Sequence, residues 1–242
     1  MTIGRKIIHL EVVDSTNNYT ANLLKEGQLE HGTVILADNQ FAGRGQRSAE
    51  WVVNPGENLT FSVFLDNVNL SVDRQFVLTQ IVSISLTRLL SNFGIEAKVK
   101  WPNDIYCGTK KIAGVLIENQ LQGMFVKSTI IGIGLNINQE QFDGFSATST
   151  KMESGVQRFP KEVVFGFVDV FNACWSEFFG RESHLNEIYH QSLFQRNVLA
   201  EYEDANGQFE AEILRVQDDG RLVLMRNDEE QAYSLKELKF IL

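Results

Sequence analysis

Four short segments carry charged, amide or glycine residues in combinations that folding alone does not require. Asp14-Ser15-Thr16-Asn17-Asn18 groups five polar side chains where a helix N-terminus needs one. The surplus donors, with the free N–H groups of a first helical turn, suit a ligand's carbonyl or carboxylate. Residues 40–51 run Gln-Phe-Ala-Gly-Arg-Gly-Gln-Arg-Ser-Ala-Glu-Trp, with Gly43 and Gly45 flanking Arg44. Glycine lets the backbone approach a ligand while a guanidinium grips phosphate or carboxylate through two parallel N–H bonds. This is no P-loop, because G-x-x-x-x-G-K-[ST] is absent, and G-x-G-x-x-G lacks its third glycine. Alone, the segment reads equally well as a surface turn. Trp51 at its end is either a core residue or a platform for a ring.

The third segment joins Lys100-Trp101-Pro102-Asn103-Asp104 to Lys110-Lys111-Ile112-Ala113-Gly114. A polar corner between two short strands would bring Asp104 near Lys111, and Ala113-Gly114 permits close ligand approach. As a plain hairpin it would hold only a weak surface ion pair. The fourth is Ile131-Gly132-Ile133-Gly134-Leu135-Asn136-Ile137-Asn138, an apolar strand with glycine on one face. Glycine weakens a strand, so the pair predicts that something packs on bare backbone there. His9, His31, His184 and His190 lie outside these segments and form no H-x-x-x-H, and Cys107 and Cys174 make no C-x-x-C pair. No metal site built from protein side chains is expected, and no G-x-S-x-G elbow appears. Cations, glycines and a tryptophan remain, a set suited to a nucleotide phosphate held without a P-loop.

The elements that must position these residues can be read from periodicity. Strands are predicted at Lys6–Val12, Thr33–Asn39, Asn58–Leu65, Ala97–Trp101, Lys111–Leu121 and Phe125–Asn138. A helix follows Ser15-Thr16 to about Lys25, with Gly27 as its stop; another spans Asp73–Phe93, ended by Gly94. Val164, Val168, Phe171, Trp175 and Phe178 form a core-facing stripe on a helix over Lys161–Phe179. Beyond Asn197 the texture changes to short strands split by Asn206-Gly207 and Asp219-Gly220, both hairpin signals. The expected fold is α+β, with a domain over 1–194 and a small β-rich domain over 195–242.

Composition bounds the function. Of 242 residues 43% are hydrophobic and 22% charged, enough for a sizeable core. Residues 1–111 hold 11 Lys+Arg and 11 Asp+Glu, whereas 112–242 hold 11 and 20, so the net charge of −9 lies in the second part. Such a chain is a poor candidate for binding nucleic acid. No stretch is long and apolar enough for a membrane span, and the N-terminus lacks a signal-peptide core. A soluble, cytoplasmic protein is expected.

Taken together, D-S-T-N, G-R-G-Q-R-x-x-x-W, K-W-P-N-D-I, K-K-I-A-G-V and G-I-G-L-N-I-N stand in an order that resembles the biotin–protein ligases, also called biotin–[acetyl-CoA-carboxylase] ligases. The motifs span residues 14–138, and the β-rich tail is similar to that family's C-terminal domain. The resemblance implies an SH2-like mixed sheet with helices followed by a small SH3-like barrel. It implies activation of biotin by ATP to biotinyl-5′-AMP, then transfer to a lysine of a biotin carboxyl carrier protein, with Mg²⁺ on the nucleotide phosphates. A homodimer is compatible with it. Carried over by motif position, Arg44 and Lys111 would supply charge to the carboxylate and α-phosphate. Asp104 would orient or help deprotonate the incoming lysine, and Asn103 would hold the corner. Ser15, Thr16 and Gln40 would bind the ureido head of biotin, while Gly114, Gly132 and Gly134 let the rings lie on backbone. Trp51 would pack near adenine, and Asn17, Gly43, Gly45, Arg47, Lys100 and Asn136 complete the expected binding set.

The chain departs from the family at Gln46, where G-R-G-R is usual, and Arg47 is expected to take over the retention of the adenylate. The first motif begins at residue 14, so the N-terminal helix-turn-helix of members that also repress transcription is not expected here. Lipoate–protein ligases share the chemistry and are the rival reading, although the G-R-G and K-W-P-N-D wording is closer to biotin ligases. An octanoyl transferase would need a cysteine nucleophile, for which only Cys107, just past Asp104, stands near a motif.

Overall fold

Alternating apolar residues and two glycine-bearing strands build a seven-stranded sheet whose two faces have different tasks. In the computed structural model, which describes residues 2–46, 50–52 and 54–242, β1 (Ile7–Val13) runs parallel to β2 (Val34–Gln40). β3 (Asn58–Ser71), β4 (Lys98–Lys100), β5 (Asp104–Cys107), β6 (Lys110–Gln122) and β7 (Phe125–Asn136) continue it antiparallel, in the order β1-β2-β3-β7-β6-β5-β4. β3 outruns its expected end at Leu65, and β5 is an added strand inside the expected polar corner.

Successive strand residues point to opposite faces. Leu59, Phe61 and Val63 therefore share one face with Ile131, Ile133, Leu135, Ala113 and Val115, all buried. Over that face pack α2 (Phe76–Asn92) and α4 (Pro160–Phe178), with Phe61 meeting Phe167 at a ring-centre distance of 5.0 Å. The predicted stripe on α4 is core: Val164, Phe171 and Phe178 are buried, each contributing about 1.5–3 kcal/mol. The expected start of α2 at Asp73 is a separate 3-10 turn over Val72–Arg74. Two helices were not anticipated, α3 (Thr150–Ser154) and α5 (Glu182–Gln191). Among the described residues no helix is long and apolar enough to cross a membrane.

The opposite face carries α1 (Thr16–Lys25). Ser15 is its N-cap but makes no side-chain cap; the Thr16 N–H instead donates to Gln40 Oε1 at 2.7 Å. One polar residue of the first segment thus leaves its capping task to a side chain from β2.

The tail is a second, antiparallel sheet: β8 (Leu199–Asp204), β9 (Gly207–Val216), β10 (Leu222–Arg226), β11 (Glu229–Tyr233) and β12 (Lys239–Phe240), ordered β11-β10-β9-β8-β12. Both expected hairpins form, and Asn227-Asp228 makes a third, with φ of 52° and 62° as a two-residue primed turn requires. The Asp219-Gly220 turn is no free loop. Gly220 is buried, its carbonyl accepts the Trp101 Nε1–H at 2.9 Å, and a Cβ on it would lie 2.7 Å from Phe76 Cδ2. His190 on α5 adds a second tie, its Nε2 accepting the Val216 N–H at 3.0 Å. Burial lowers the His190 pKa and favours the neutral ring that can accept.

Candidate functional site

The face of the large sheet away from the core presents a cross-strand row: Thr60 beside Gly134, Gly134 beside Gly114, Gly114 beside Asp104, and Asp104 beside Lys100. A second row holds Ser62, Gly132 and Leu116. The third and fourth chemistry-bearing segments therefore meet side by side, and α1 brings the first one over them. Strict alternation would send Lys111 to the core with Ala113. A register shift between Ile105 and Tyr106 instead sets Lys111 opposite Tyr106, on the face of Asp104. Bulges of this kind re-aim one side chain. Lys111 Nζ consequently lies 2.6 Å from Asp104 Oδ1.

This face floors a cavity of about 1150 Å³ whose other wall is the C-terminal sheet, including Arg226, Tyr233, Lys239 and Phe240. Ser15, Thr16, Asn17, Gln40, Arg44, Gly45, Trp51, Lys100, Asn103, Asp104, Lys111, Gly114, Gly132 and Gly134 all line it, as does Gln46. Asn103 ties the corner to β6, its Nδ2 donating to the Val115 carbonyl at 2.7 Å while its own carbonyl accepts the Val115 N–H at 3.0 Å.

Three expected binding residues stand otherwise. Asn136 is buried and donates to the Thr148 carbonyl at 2.9 Å, so its amide fastens the chain before α3 and does not line the cavity. Gly43 lines an adjoining cavity behind the loop, and a Cβ there would collide with the Trp51 carbonyl, whose residue's N–H donates to the Gly43 carbonyl at 2.9 Å. Its missing side chain serves that tight pairing. Arg47 lies outside the described residues.

The strand glycines do have something packed on them, but it is the protein itself. A Cβ on Gly134 would come within 2.5 Å of Trp51 Cζ2, and one on Gly132 within 2.9 Å of Asn17 Cγ. The Trp51 indole thus lies on the bare strand, with Lys111 Nζ 5.6 Å from its centre. Its Nε1–H is buried and has no hydrogen-bond partner among the described residues. A buried donor left unmatched costs about 1–3 kcal/mol, which a ligand acceptor at this spot would remove.

Sequence reasoning missed Ser62 and Glu118. Ser62 donates to Asn17 Oδ1 at 2.6 Å, and Asn17 Nδ2 donates to Glu118 Oε2 at 2.7 Å. Glu118 also takes Arg44, whose Nη2 is 2.6 Å from its carboxylate. A period-two count along β6 from Gly114 would have put Glu118 on the site face. Each of the two candidate catalytic cations therefore carries its own carboxylate, Arg44 with Glu118 and Lys111 with Asp104. Arg44 and Glu118 are 44% and 40% exposed, so their pair is worth about 1 kcal/mol or less and yields readily to an incoming anion.

Lys100 differs. Burial holds its amine below the ordinary lysine range, with Asp104 opposing the shift and Lys111 adding to it. Burial also pushes the Tyr106 hydroxyl up to about 12, helped by Asp104. The Cys107 thiol is raised by burial to about 12, and by Glu153 after it, so it stays protonated and is no nucleophile.

The model of the biotin/lipoate A/B protein ligase family matches residues 9–136. The bifunctional ligase/repressor BirA of Bacillus subtilis is 34% identical over 142 residues, 58% of this chain and 43% of that protein. A biotin–[acetyl-CoA-carboxylase] ligase of Paracoccus denitrificans is 32% identical over 127 residues, covering 51% of each. The matched part therefore spans about half or less of these relatives' own length. Among solved structures, a biotin protein ligase from Aquifex aeolicus in complex with biotin and ATP superposes with a TM-score of 0.82 at 24% identity, over 98% of this chain and 100% of that one. That likeness extends over both sheets and concerns the fold. With the family model covering more than half of the chain, including the strands and loops that floor the cavity, the chain belongs to the biotin/lipoate A/B protein ligase family.

Proposed function

We propose that the chain is a biotin–protein ligase acting on biotin, ATP and a biotin carboxyl carrier protein. The observation that carries this reading is the pair of displaceable cations, Arg44 and Lys111, bordering one cavity beside a buried set of hydroxyl and amide groups. The hydroxyls of Ser15 and Thr16 and the Gln40 amide suit a ureido head, and the cations suit the two anions that must meet. In the first step a biotin carboxylate oxygen attacks the α-phosphorus of ATP, the bond to the bridging oxygen breaks, and pyrophosphate leaves. In the second a carrier lysine attacks the carbonyl carbon, AMP leaves, and the amine's proton passes towards Asp104. Trp51, already lying flat on Gly134, offers the adenine a face to stack on. Among the described residues no three His, Cys, Asp or Glu side chains converge, so a Mg²⁺ ion fits here as one carried in on the nucleotide's phosphates. The five short antiparallel strands of the tail support the SH3-like reading of residues 195–242, and the large sheet with its helices the SH2-like reading of 1–194. A cytoplasmic compartment follows from the proposed carrier.

The test is specific to the acid. Biotin at about a hundred times its dissociation constant, added to ATP-saturated protein, should stabilise it by about 2.7 kcal/mol beyond ATP alone, whereas lipoate in its place should add nothing. ATP–pyrophosphate exchange that runs equally well without biotin would sink the proposal. Asp104→Asn should slow single-turnover transfer from preformed biotinyl-AMP by about a hundredfold, with adenylate formation changed far less. Normal transfer by that variant would reject the role given to Asp104.

A further inference from the structure

The catalytic corner touches the C-terminal sheet through two adjacent residues. Trp101 donates its indole N–H to Gly220, and Lys100 reaches β12. The Lys100 ammonium lies 5.1 Å from the ring centre of Tyr106 and 4.7 Å from that of Phe240. Tyr106 belongs to β5 of the large sheet and is packed at 5.7 Å against Phe194; Phe240 belongs to β12 and meets Tyr202 edge-on at 5.2 Å. Both rings are therefore held by packing that does not involve Lys100, Tyr106 against Phe194 and Phe240 against Tyr202, and the lysine is the flexible member.

We infer that Phe240 is a positioning residue: with Tyr106 it clamps the Lys100 ammonium between two aromatic faces, so that the C-terminal sheet holds a cation of the large sheet at the cavity wall. The inference rests on the ligase reading above and names a task for the tail within it. Four rotatable bonds leave a lysine ammonium free to wander in water, and a phosphate that binds it must first collect it. An aromatic face attracts a cation through its quadrupole, most strongly where water is excluded. Burial takes hydration away from Lys100, and the two faces return part of that stabilisation at a fixed place. An aliphatic side chain at position 240 would fill the same space without offering that attraction.

Phe240→Leu and Phe240→Tyr separate the clamp from simple packing. Lysine side chains labelled with ¹³C, with the Lys100 signal assigned by its loss in Lys100→Arg, should show an upfield ring-current shift of its ε-methylene in the native protein and in Phe240→Tyr. In Phe240→Leu that shift should fall by about half, because one ring of two is gone. In biotin-dependent ATP–pyrophosphate exchange the KM for ATP should rise about tenfold in Phe240→Leu and stay within about twofold of native in Phe240→Tyr. A native ring-current shift in Phe240→Leu overturns the clamp. A lost shift with native KM shows a clamp that does not serve the reaction, and also overturns the inference. If the native protein shows no biotin-dependent exchange, the ligase reading fails, and the resonance still reports on the clamp.

Discussion

Alanine at Arg44 or at Lys111 should lower biotin-dependent ATP–pyrophosphate exchange by about a hundredfold to a thousandfold, the range for removing a preorganised charge from a transition state. The reaction brings a carboxylate against a phosphate, and the two cations face that repulsion from different elements, Arg44 from the loop after β2 and Lys111 from β6. Arg44→Ala does more than delete one contact, because it leaves Glu118 without its partner at 2.6 Å and turns an attractive rim into a repulsive one. Lys111→Ala does the same with Asp104. The double variant Arg44→Ala/Glu118→Gln separates these effects: it removes the stranded charge, so affinity for ATP should recover in part while the maximal rate stays low. Full recovery of the rate would mean that Arg44 acts only by neutralising Glu118. A loss below about threefold in either single variant would remove that residue from the chemistry.

The second large effect is expected from a single methyl group. Gly134→Ala would place a carbon 2.5 Å from Trp51 Cζ2 and 2.6 Å from Nε1, with β7 backbone beneath and no room to retreat. The indole must tilt away, at an overpacking cost of about 1–3 kcal/mol, which lowers the melting temperature by roughly 2–10 °C in a protein of this size. Its displacement also removes the platform at the centre of the cavity, so ATP binding should weaken alongside stability. Combining Gly134→Ala with Trp51→Ala makes the check. The clash disappears in the double variant, and the two stability losses should add to less than their sum. Strict additivity would place the strain somewhere other than this contact.

Much of this architecture is legible in the residues. The glycine-arginine loop, the polar corner and the paired glycines are anomalies against the needs of plain strands, and they converge on one cavity. Periodicity was sufficient for α4, whose apolar stripe admits one buried face. It does not give register, although the expected polar corner did bring Asp104 beside Lys111. Nothing in Lys110-Lys111-Ile112-Ala113 announces that the pairing slips by one residue opposite Ile105 and Tyr106, yet that slip turns Lys111 to Asp104. Glu118 was hidden for a related reason: an acidic residue on a long strand reads as solvent-facing until its neighbours across the sheet are known. Asn136 shows the converse, a polar residue inside a functional motif whose amide is spent on a backbone carbonyl. The second wall of the cavity was invisible, since no local pattern records which surface of a tail domain faces the first.

The Asp219-Gly220 turn changes how the tail can be engineered. By composition it is an interchangeable hairpin, the customary place to graft an epitope or split the chain. Here its glycine is buried at φ 91° against Phe76, and its carbonyl holds the tryptophan next to Lys100. An insertion there would be transmitted through that indole to the catalytic corner. Asn227-Asp228, exposed on both residues and bounded by the Arg226–Glu229 pair, is the turn of the same sheet where added sequence would hang in solvent.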